Sequence, residues 1–287
     1  PKNMSEKKYI FLTIKSFSQL ITRGTQPGEI YLSRGWYYNS NNEMIYAVLR
    51  SVDNGQHLSL QYYSTTFPPQ GTGLEIISDA TPGVLYGVCY YKLYISYDYA
   101  KSWQFVENTG LDGRYASGCI NGEVYKYNNI SNNTYFYRST NYAQNFEIVN
   151  NNIYGFPEVG CNEAFVYNLI GYPPEIPLIL NRSSNYGTTF DTIQIDSLMA
   201  GYVPTGNNPE IFRGAVDGEL YLITWHPQNR YFIFYSSDYG QNFELKYQSD
   251  SCDIYLMGYN FTAGREPGSF YVIRYTADLE DFHAQIY

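Results

Sequence analysis

Paired carboxylates are the residues of this chain best suited to hydrolytic chemistry, because a glycosidase uses one carboxyl group as an acid and a second as a base or nucleophile. Four acids are candidates for this role: Asp79, Asp112, Glu158 and Asp217. Their spacing does not single out a pair. The histidines are His57, His226 and His283. The chain contains no HExxH, GxSxG or glycine-rich phosphate motif, and we predict no catalytic residue, no metal and no cofactor.

Aromatic residues form a second group that could bind a ligand. They recur in short segments beside Asn, Gln and Pro, a combination typical of surfaces that stack sugars or grip peptides. The candidate ligand-binding residues are Trp36, Tyr38, Tyr91, Tyr172, Trp225 and His226. The alternative is that these rings only pack over the ends of strands.

An internal repeat indicates which elements position these residues. Five segments share the pattern Ser, any, Asp or Asn, any, small, any, any, large apolar, and they begin at Ser51, Ser96, Ser139, Ser183 and Ser236. The intervals between their serines are 45, 43, 44 and 53 residues. This period is that of a four-stranded propeller blade.

The repeat resembles the Asp-box (BNR-repeat) family, found in sialidase, sortilin and xyloglucanase propellers and in photosystem II assembly factors. The resemblance implies a turn between the third and fourth strands of each blade, where Ser and Asp or Asn side chains accept backbone N–H groups. It also implies a buried final aromatic. The implied structural residues are Ser51, Asp53, Ser96, Asp98, Trp103, Ser139, Asn141, Phe146, Ser183, Asn185, Phe190, Ser236, Asp238 and Phe243. Ala100 and Ala143 replace the usual Gly, so those turns either avoid positive φ or are strained.

A strand with a Tyr near its middle is predicted before each repeat segment and once more near the end of the chain. The six tyrosines are Tyr31, Tyr86, Tyr125, Tyr167, Tyr221 and Tyr271. The alternating segment Lys8–Lys15 is predicted to supply the missing strand of the last blade, because closure removes exposed sheet edges. We therefore predict an all-β, six-bladed β-propeller in a single domain, 1–287. The predicted blades are 16–64, 72–108, 113–150, 155–196, 209–248 and 252–287 with 8–15.

The family architecture places the aromatic segments in loops between the second and third strands, on the face opposite the repeat turns. Four charged residues are predicted on or near inner strands, at the mouth of the central channel: Arg23, Arg114, Glu158 and Arg213. They either bind a polar ligand or pair with one another.

Composition narrows the partners of the chain. The net charge of −9 argues against nucleic acid or an anionic membrane, and no apolar stretch is long enough to span a bilayer. We predict a non-catalytic, tyrosine-rich binding propeller that engages a glycan or a protein, secreted or at the cell surface, as a monomeric domain of a larger protein. The alternatives are a structural spacer domain and a glycoside hydrolase. A sialidase is disfavoured because the chain lacks an Arg-Ile-Pro motif before the first repeat.

Overall fold

The computed structural model describes residues 9–12, 19–38, 44–64, 74–89, 92–108, 114–130, 133–151, 153, 157–171, 177–195, 209–226, 230–248, 261–275 and 282–286. At 9–12, 19–20, 34–38, 44–45, 129–130, 133, 225–226, 230–231, 273–275 and 282–286 the description covers the backbone alone. Within these residues every regular element is a β-strand.

The strands form four-stranded antiparallel sheets, each a blade whose strands are named here from the inner to the outer one. Blade 1 contains β2 (Gln19–Arg23), β3 (Ile30–Tyr38), β4 (Met44–Ser51) and β5 (Ser59–Ser64). Blade 2 contains β6 (Glu75–Ser78), β7 (Leu85–Cys89), β8 (Lys92–Ser96) and β9 (Gln104–Asn108). Blade 3 contains β10 (Arg114–Ser117), β11 (Val124–Ile130), β12 (Asn133–Ser139) and β13 (Glu147–Asn150).

The remaining strands follow the same order. Blade 4 contains β14 (Pro157–Val159), β15 (Val166–Ile170), β16 (Ile179–Ser183) and β17 (Asp191–Gln194). Blade 5 contains β18 (Glu210–Arg213), β19 (Leu220–His226), β20 (Arg230–Ser236) and β21 (Glu244–Gln248). A further sheet contains β22 (Phe261–Ala263), β23 (Phe270–Tyr275), β24 (Phe282–Ile286) and β1 (Tyr9–Leu12).

These sheets confirm an all-β propeller with four-stranded antiparallel blades. Five blades, rather than six, are built from strands that are consecutive in the chain. The further sheet is assembled from both ends of the sequence, because β1 pairs antiparallel with β24 and places Tyr9 opposite Gln285. Its inner strand β22 contacts β18 on one side and β2 on the other.

The core lies between neighbouring blades. The tyrosines predicted at the centres of the second strands are all buried, and Tyr86 and Tyr221 are 0 % exposed. Second strands such as β7 are buried along nearly their whole length because blades pack on both of their faces. Outer strands such as β9 contain exposed and partly buried residues and none that is fully buried, as expected for an edge that faces water.

The five repeat segments fold into one common turn. In the first, the Ser51 hydroxyl accepts the Gly55 N–H at 2.7 Å and the Asp53 carboxylate accepts the His57 N–H at 2.9 Å. The equivalent pair of bonds occurs in the other four segments. Ala100 and Ala143 do adopt positive φ, at 68° and 62°, so these two turns carry backbone strain that a glycine would avoid.

The final aromatics of the repeat pack between blades to different extents. Phe243 is buried, at 8 % exposed, and contacts the apolar cluster shared by blades 4 and 5. Trp103, Phe146 and Phe190 are only partly buried, although each packs against an inter-blade cluster.

Removal of β1 tests its structural role. Deletion of residues 1–15 takes away the partner of β24 and exposes its edge, so we expect a lower melting temperature and self-association. Deletion of residues 1–7 leaves β1 in place and is the control. A 1–15 deletion that melts like the full chain and stays monomeric in size-exclusion chromatography contradicts this role.

Truncation of Phe243 tests the packing between blades. Phe243→Ala removes a buried ring, and we expect it to lower the free energy of unfolding by about 3–5 kcal/mol. Phe105→Ala, at a ring that is 55 % exposed, is the matched control and is expected to change it by less than about 0.5 kcal/mol. Urea denaturation measures both, and similar losses in the two variants contradict the assignment.

Candidate ligand site at the channel mouth

Three charged residues occupy the first position of an inner strand and therefore lie at the same end of the channel. They are Glu75 in β6, Arg114 in β10 and Glu210 in β18. The strand pairing aligns Glu210 with Ile223, midway along β19, and Glu75 with Val88, next to the end of β7. This end of the channel, called the mouth here, is thus the end at which the second strands lead into the third.

The charges at the mouth perturb one another. Burial raises the pKa of Glu75, and the positive charge of Arg114 partly offsets the effect. Burial also raises the pKa of Glu210, where Arg114 opposes the shift and the charge of Glu75 adds to it. Two carboxyl groups and a guanidinium group therefore interact across the channel mouth from blades 2, 3 and 5. Clustered acids with raised pKa values in a concave site are typical of ligand-binding and catalytic centres.

The backbones of four of the six predicted ligand-binding residues lie on strands that run toward the mouth. Trp225 and His226 end β19, beyond the position level with Glu210, and Trp36 and Tyr38 lie in the last part of β3. The side chains of these four residues are outside the described part of the structure. Tyr91 and Tyr172 lie outside the described residues altogether, as does the candidate acid Asp112.

Two of the other charged candidates, Arg23 and Arg213, lie farther from the mouth than predicted. Arg23 and Arg213 end β2 and β18, so they lie at the opposite end, called the floor here, and not at the mouth. Arg23 donates hydrogen bonds to the carbonyl oxygens of Gly214 and Gly264, across the channel. Only Arg114 of the four predicted residues stands at the first position of its strand.

A cavity of about 160 Å³ lies in the channel between mouth and floor. Its polar lining includes Arg23, Arg213, Glu158, Glu75, Ser78 and Ser117. Burial raises the pKa of Glu158, while Arg213 and Arg23 oppose the shift. The nearest atoms of the Arg213 and Glu158 side chains, Nε and Oε1, are 3.9 Å apart.

The remaining candidate acids are used structurally. Asp79 is fully buried and accepts hydrogen bonds from the Tyr86 hydroxyl and from the N–H of Gly122 in the next blade. Asp217 accepts hydrogen bonds from Asn162 and Tyr239 near the surface. Both lie at turns between first and second strands, where their hydrogen bonds connect the turns of neighbouring elements.

Buried carboxylates at these turns are a feature that the sequence analysis missed. Glu29 accepts hydrogen bonds from the Tyr31 hydroxyl and from Arg50 Nε, each at 2.8 Å. Glu123 repeats the arrangement with Tyr125 at 2.9 Å and Arg138 at 2.7 Å. The signal was present, since Gly-Glu precedes the central Tyr by two residues in the segments GEIY, GEVY and GELY.

These Tyr–Glu pairs are unsuited to nucleophilic catalysis. Burial, followed by the charge of Glu29, raises the pKa of Tyr31 far above its usual range, and burial and Glu123 do the same to Tyr125. An activated nucleophile requires the opposite shift and access to a substrate. We therefore assign these pairs to the stability of the turns.

The part of the chain that the structure describes has no group of three or more His, Cys, Asp or Glu side chains arranged to hold a metal ion. It also has no helix long and apolar enough to cross a membrane.

Comparisons with known proteins support the fold. No protein-family model and no curated protein matches the sequence. The structure is similar to a Penicillium chrysogenum alpha-L-arabinanase complexed with arabinobiose, with a TM-score of 0.61 and 13% identity, over 98% of this chain and 96% of that chain. It is also similar to YCF48 bound to D1 peptide, with a TM-score of 0.51 and 10% identity, over 99% and 97% of the two chains.

A third similar structure is the GH74 enzyme of Niastella koreensis, with a TM-score of 0.52 and 16% identity over 92% of this chain. The chain spans only 36% of the length of that enzyme. At these identities the comparisons establish a β-propeller fold similar to that of glycoside hydrolases, and they establish neither an activity nor a ligand for this chain.

The carboxyl groups at the mouth should oppose folding at neutral pH. Because the folded-state pKa of Glu210 is raised, its contribution to stability is complete below the unfolded pKa of about 4.3 and declines as pH rises through the folded value. Glu210→Gln carries no charge and should escape this decline. We expect the melting temperature of the variant to exceed that of the wild type at pH 7.5, and the difference to shrink toward pH 4.

The exposed Glu147 provides the control for this measurement, since Glu147→Gln removes a carboxylate from an outer strand. Its melting temperature should differ little from that of the wild type at either pH. A Glu210→Gln variant that is less stable than the wild type at pH 7.5 would show that the carboxylate is stabilising, contrary to the argument.

Proposed function

We propose that this chain is a six-bladed, non-catalytic binding propeller that recognises a saccharide at the channel mouth. The observation that carries the proposal is the convergence of Glu75, Arg114 and Glu210 at the first positions of inner strands from three blades. Carboxyl and guanidinium groups together accept and donate the hydrogen bonds that sugar hydroxyls require. The strands that carry Trp36 and Trp225 end at the same side of the ring, and aromatic rings there would stack against sugar faces.

The class of saccharide to test comes from a solved structure of similar fold. The solved arabinanase was complexed with arabinobiose, and both its chain and this chain are covered almost completely by the alignment. Arabino-oligosaccharides are therefore the first ligands to test. A protein ligand is the alternative for the same face, since YCF48 was solved bound to a peptide.

Saccharide binding is tested by calorimetric titration with arabino-oligosaccharides and by a glycan array. Trp225→Ala and Glu210→Gln are each expected to weaken binding at least tenfold, because one removes a stacking surface and the other a charged acceptor. Tyr97→Ala is the matched control, since Tyr97 is an exposed aromatic in the repeat turn at the other end of the ring. Binding that is absent, or that falls equally in the control, overturns the proposal.

A glycoside hydrolase is the second candidate, favoured by the raised pKa values of Glu75 and Glu210 at one mouth. A carboxyl group with a raised pKa is suited to act as a general acid, and a second carboxylate could serve as base or nucleophile. Release of product from chromogenic arabinosides, lost in both Glu75→Gln and Glu210→Gln, would establish this reading. The binding proposal expects no product from the wild type. A pure spacer predicts neither binding nor turnover.

The cellular context follows from the same proposal. The proposal includes a secreted or cell-surface location, as a monomeric module of a larger protein. The acidic balance of the chain, −9, supports neither nucleic acid nor anionic membranes as partners.

A further inference from the structure

The floor of the channel concentrates positive charge on buried side chains. Arg23 is 5 % exposed, and Arg213 lies on the neighbouring wall of the same cavity. Burial lowers the pKa of Arg265 to about 9, and repulsion from Arg23 and Arg213 adds to the shift. Three guanidinium groups from blades 1 and 5 and from the turn between β22 and β23 are thus close enough to destabilise one another.

The carbonyl oxygens of the turns satisfy part of this charge. Arg213 Nη1 donates to the carbonyls of Ser117 and Gly118, at 2.8 Å and 3.0 Å, and its Nη2 donates to the Ser117 hydroxyl at 2.7 Å. Arg23 donates through Nη1 to Gly214 and Gly264, and through Nη2 to the Cys161 sulfur at 3.3 Å. Carbonyl dipoles solvate a guanidinium group, but they do not neutralise its charge.

The carboxylates in the cavity compensate the cations incompletely. Glu158 is the one that approaches Arg213, at 3.9 Å, which is beyond hydrogen-bond distance. Burial raises its pKa, so Glu158 holds a proton more readily than an ordinary carboxyl group. Glu75 lines the same cavity but belongs to the mouth. Toward the floor, the cavity is therefore lined by the two guanidinium groups of Arg23 and Arg213 and by the one carboxyl group of Glu158. Its volume of about 160 Å³ is several times the ~30 Å³ that a water molecule occupies.

We propose that this cavity is a binding site for a small oxyanion, held between the guanidinium groups of Arg23 and Arg213. Each guanidinium has five N–H donors, and the hydrogen bonds described above occupy three on Arg213 and three on Arg23. The hydroxyl group of Thr22 on the cavity wall can add a donor. The shared chemistry is that of sulfate, phosphate or a carboxylate, which guanidinium groups bind through paired N–H donors. The anion is either free or the acidic end of a larger ligand that enters from the mouth.

Anion binding by the whole chain is measured as the shift in melting temperature with low millimolar sulfate or acetate, against chloride at equal ionic strength. Sulfate is expected to raise the melting temperature of the wild type, and Arg213→Gln to abolish the increase. Glu158→Gln removes the competing carboxylate and is expected to lower the apparent dissociation constant at least threefold. Lys101→Gln removes an equal charge from an exposed turn and is the control for general charge effects.

Arg213→Gln removes a positive charge and Glu158→Gln removes a negative one, so together they distinguish an anion-binding site from a purely structural role of these residues. Should Arg213→Gln fail to fold, the Glu158→Gln variant still decides, because a structural plug gives no reason for tighter sulfate binding. A shift with acetate but not sulfate assigns the site to a carboxylate group of a larger ligand. Equal effects of sulfate and chloride in both the wild type and Glu158→Gln overturn the proposal. Saccharide binding at the mouth is measured without sulfate and stands or falls separately.

Discussion

One backbone hydrogen bond, repeated around the ring, connects the outer and inner parts of each blade. In blade 1 the N–H of Asn54, in the repeat turn, donates to the carbonyl of Gly28, in the turn between the first and second strands, at 2.9 Å. Blades 2 to 5 contain the same bond, at 2.8 to 2.9 Å. It requires the residue at this position of the repeat turn to adopt a positive φ, and tyrosines such as Tyr99 and Tyr142 do so. The strain is held because the Ser and Asp or Asn side chains fix the rest of the turn.

The buried carboxylates extend this connection to the next blade. Glu29 binds Arg50, and the Arg50 guanidinium lies 4.1 Å from the centre of the Tyr99 ring in blade 2. Arg138, bound to Glu123, lies 3.7 Å from the centre of the Tyr186 ring in blade 4. Ionised side chains can be buried here because each receives several charge-assisted hydrogen bonds. One end of the ring is thus a rigid layer of satisfied polar groups.

At the other end of the ring the pKa values of the carboxyl groups shift in the opposite direction. At the mouth, burial raises the pKa values of Glu75 and Glu210, whereas hydrogen bonds from Tyr31 and Arg50 outweigh burial at Glu29 and lower its pKa. A buried carboxylate that accepts strong hydrogen bonds stabilises the fold. A buried carboxylate without such donors is unfavourable, and hydrogen bonds from a ligand could offset that cost. Proteins tolerate this cost mainly where function needs it. Separation of the two kinds of acid between the ends of the channel therefore supports a ligand site at the mouth.

Local sequence was sufficient to predict the strands, the repeat turns and the buried second-strand tyrosines. These features depend on steric and hydrogen-bond preferences within a few residues, as the Ser51 and Asp53 bonds illustrate. The tertiary structure alone decided which charged residues share a site. Glu75, Arg114 and Glu210 are far apart in sequence and meet because the ring brings inner strands together. It also moved Arg23 and Arg213 from the predicted mouth to the floor, since strand direction, and not residue type, sets which end of the channel a side chain reaches.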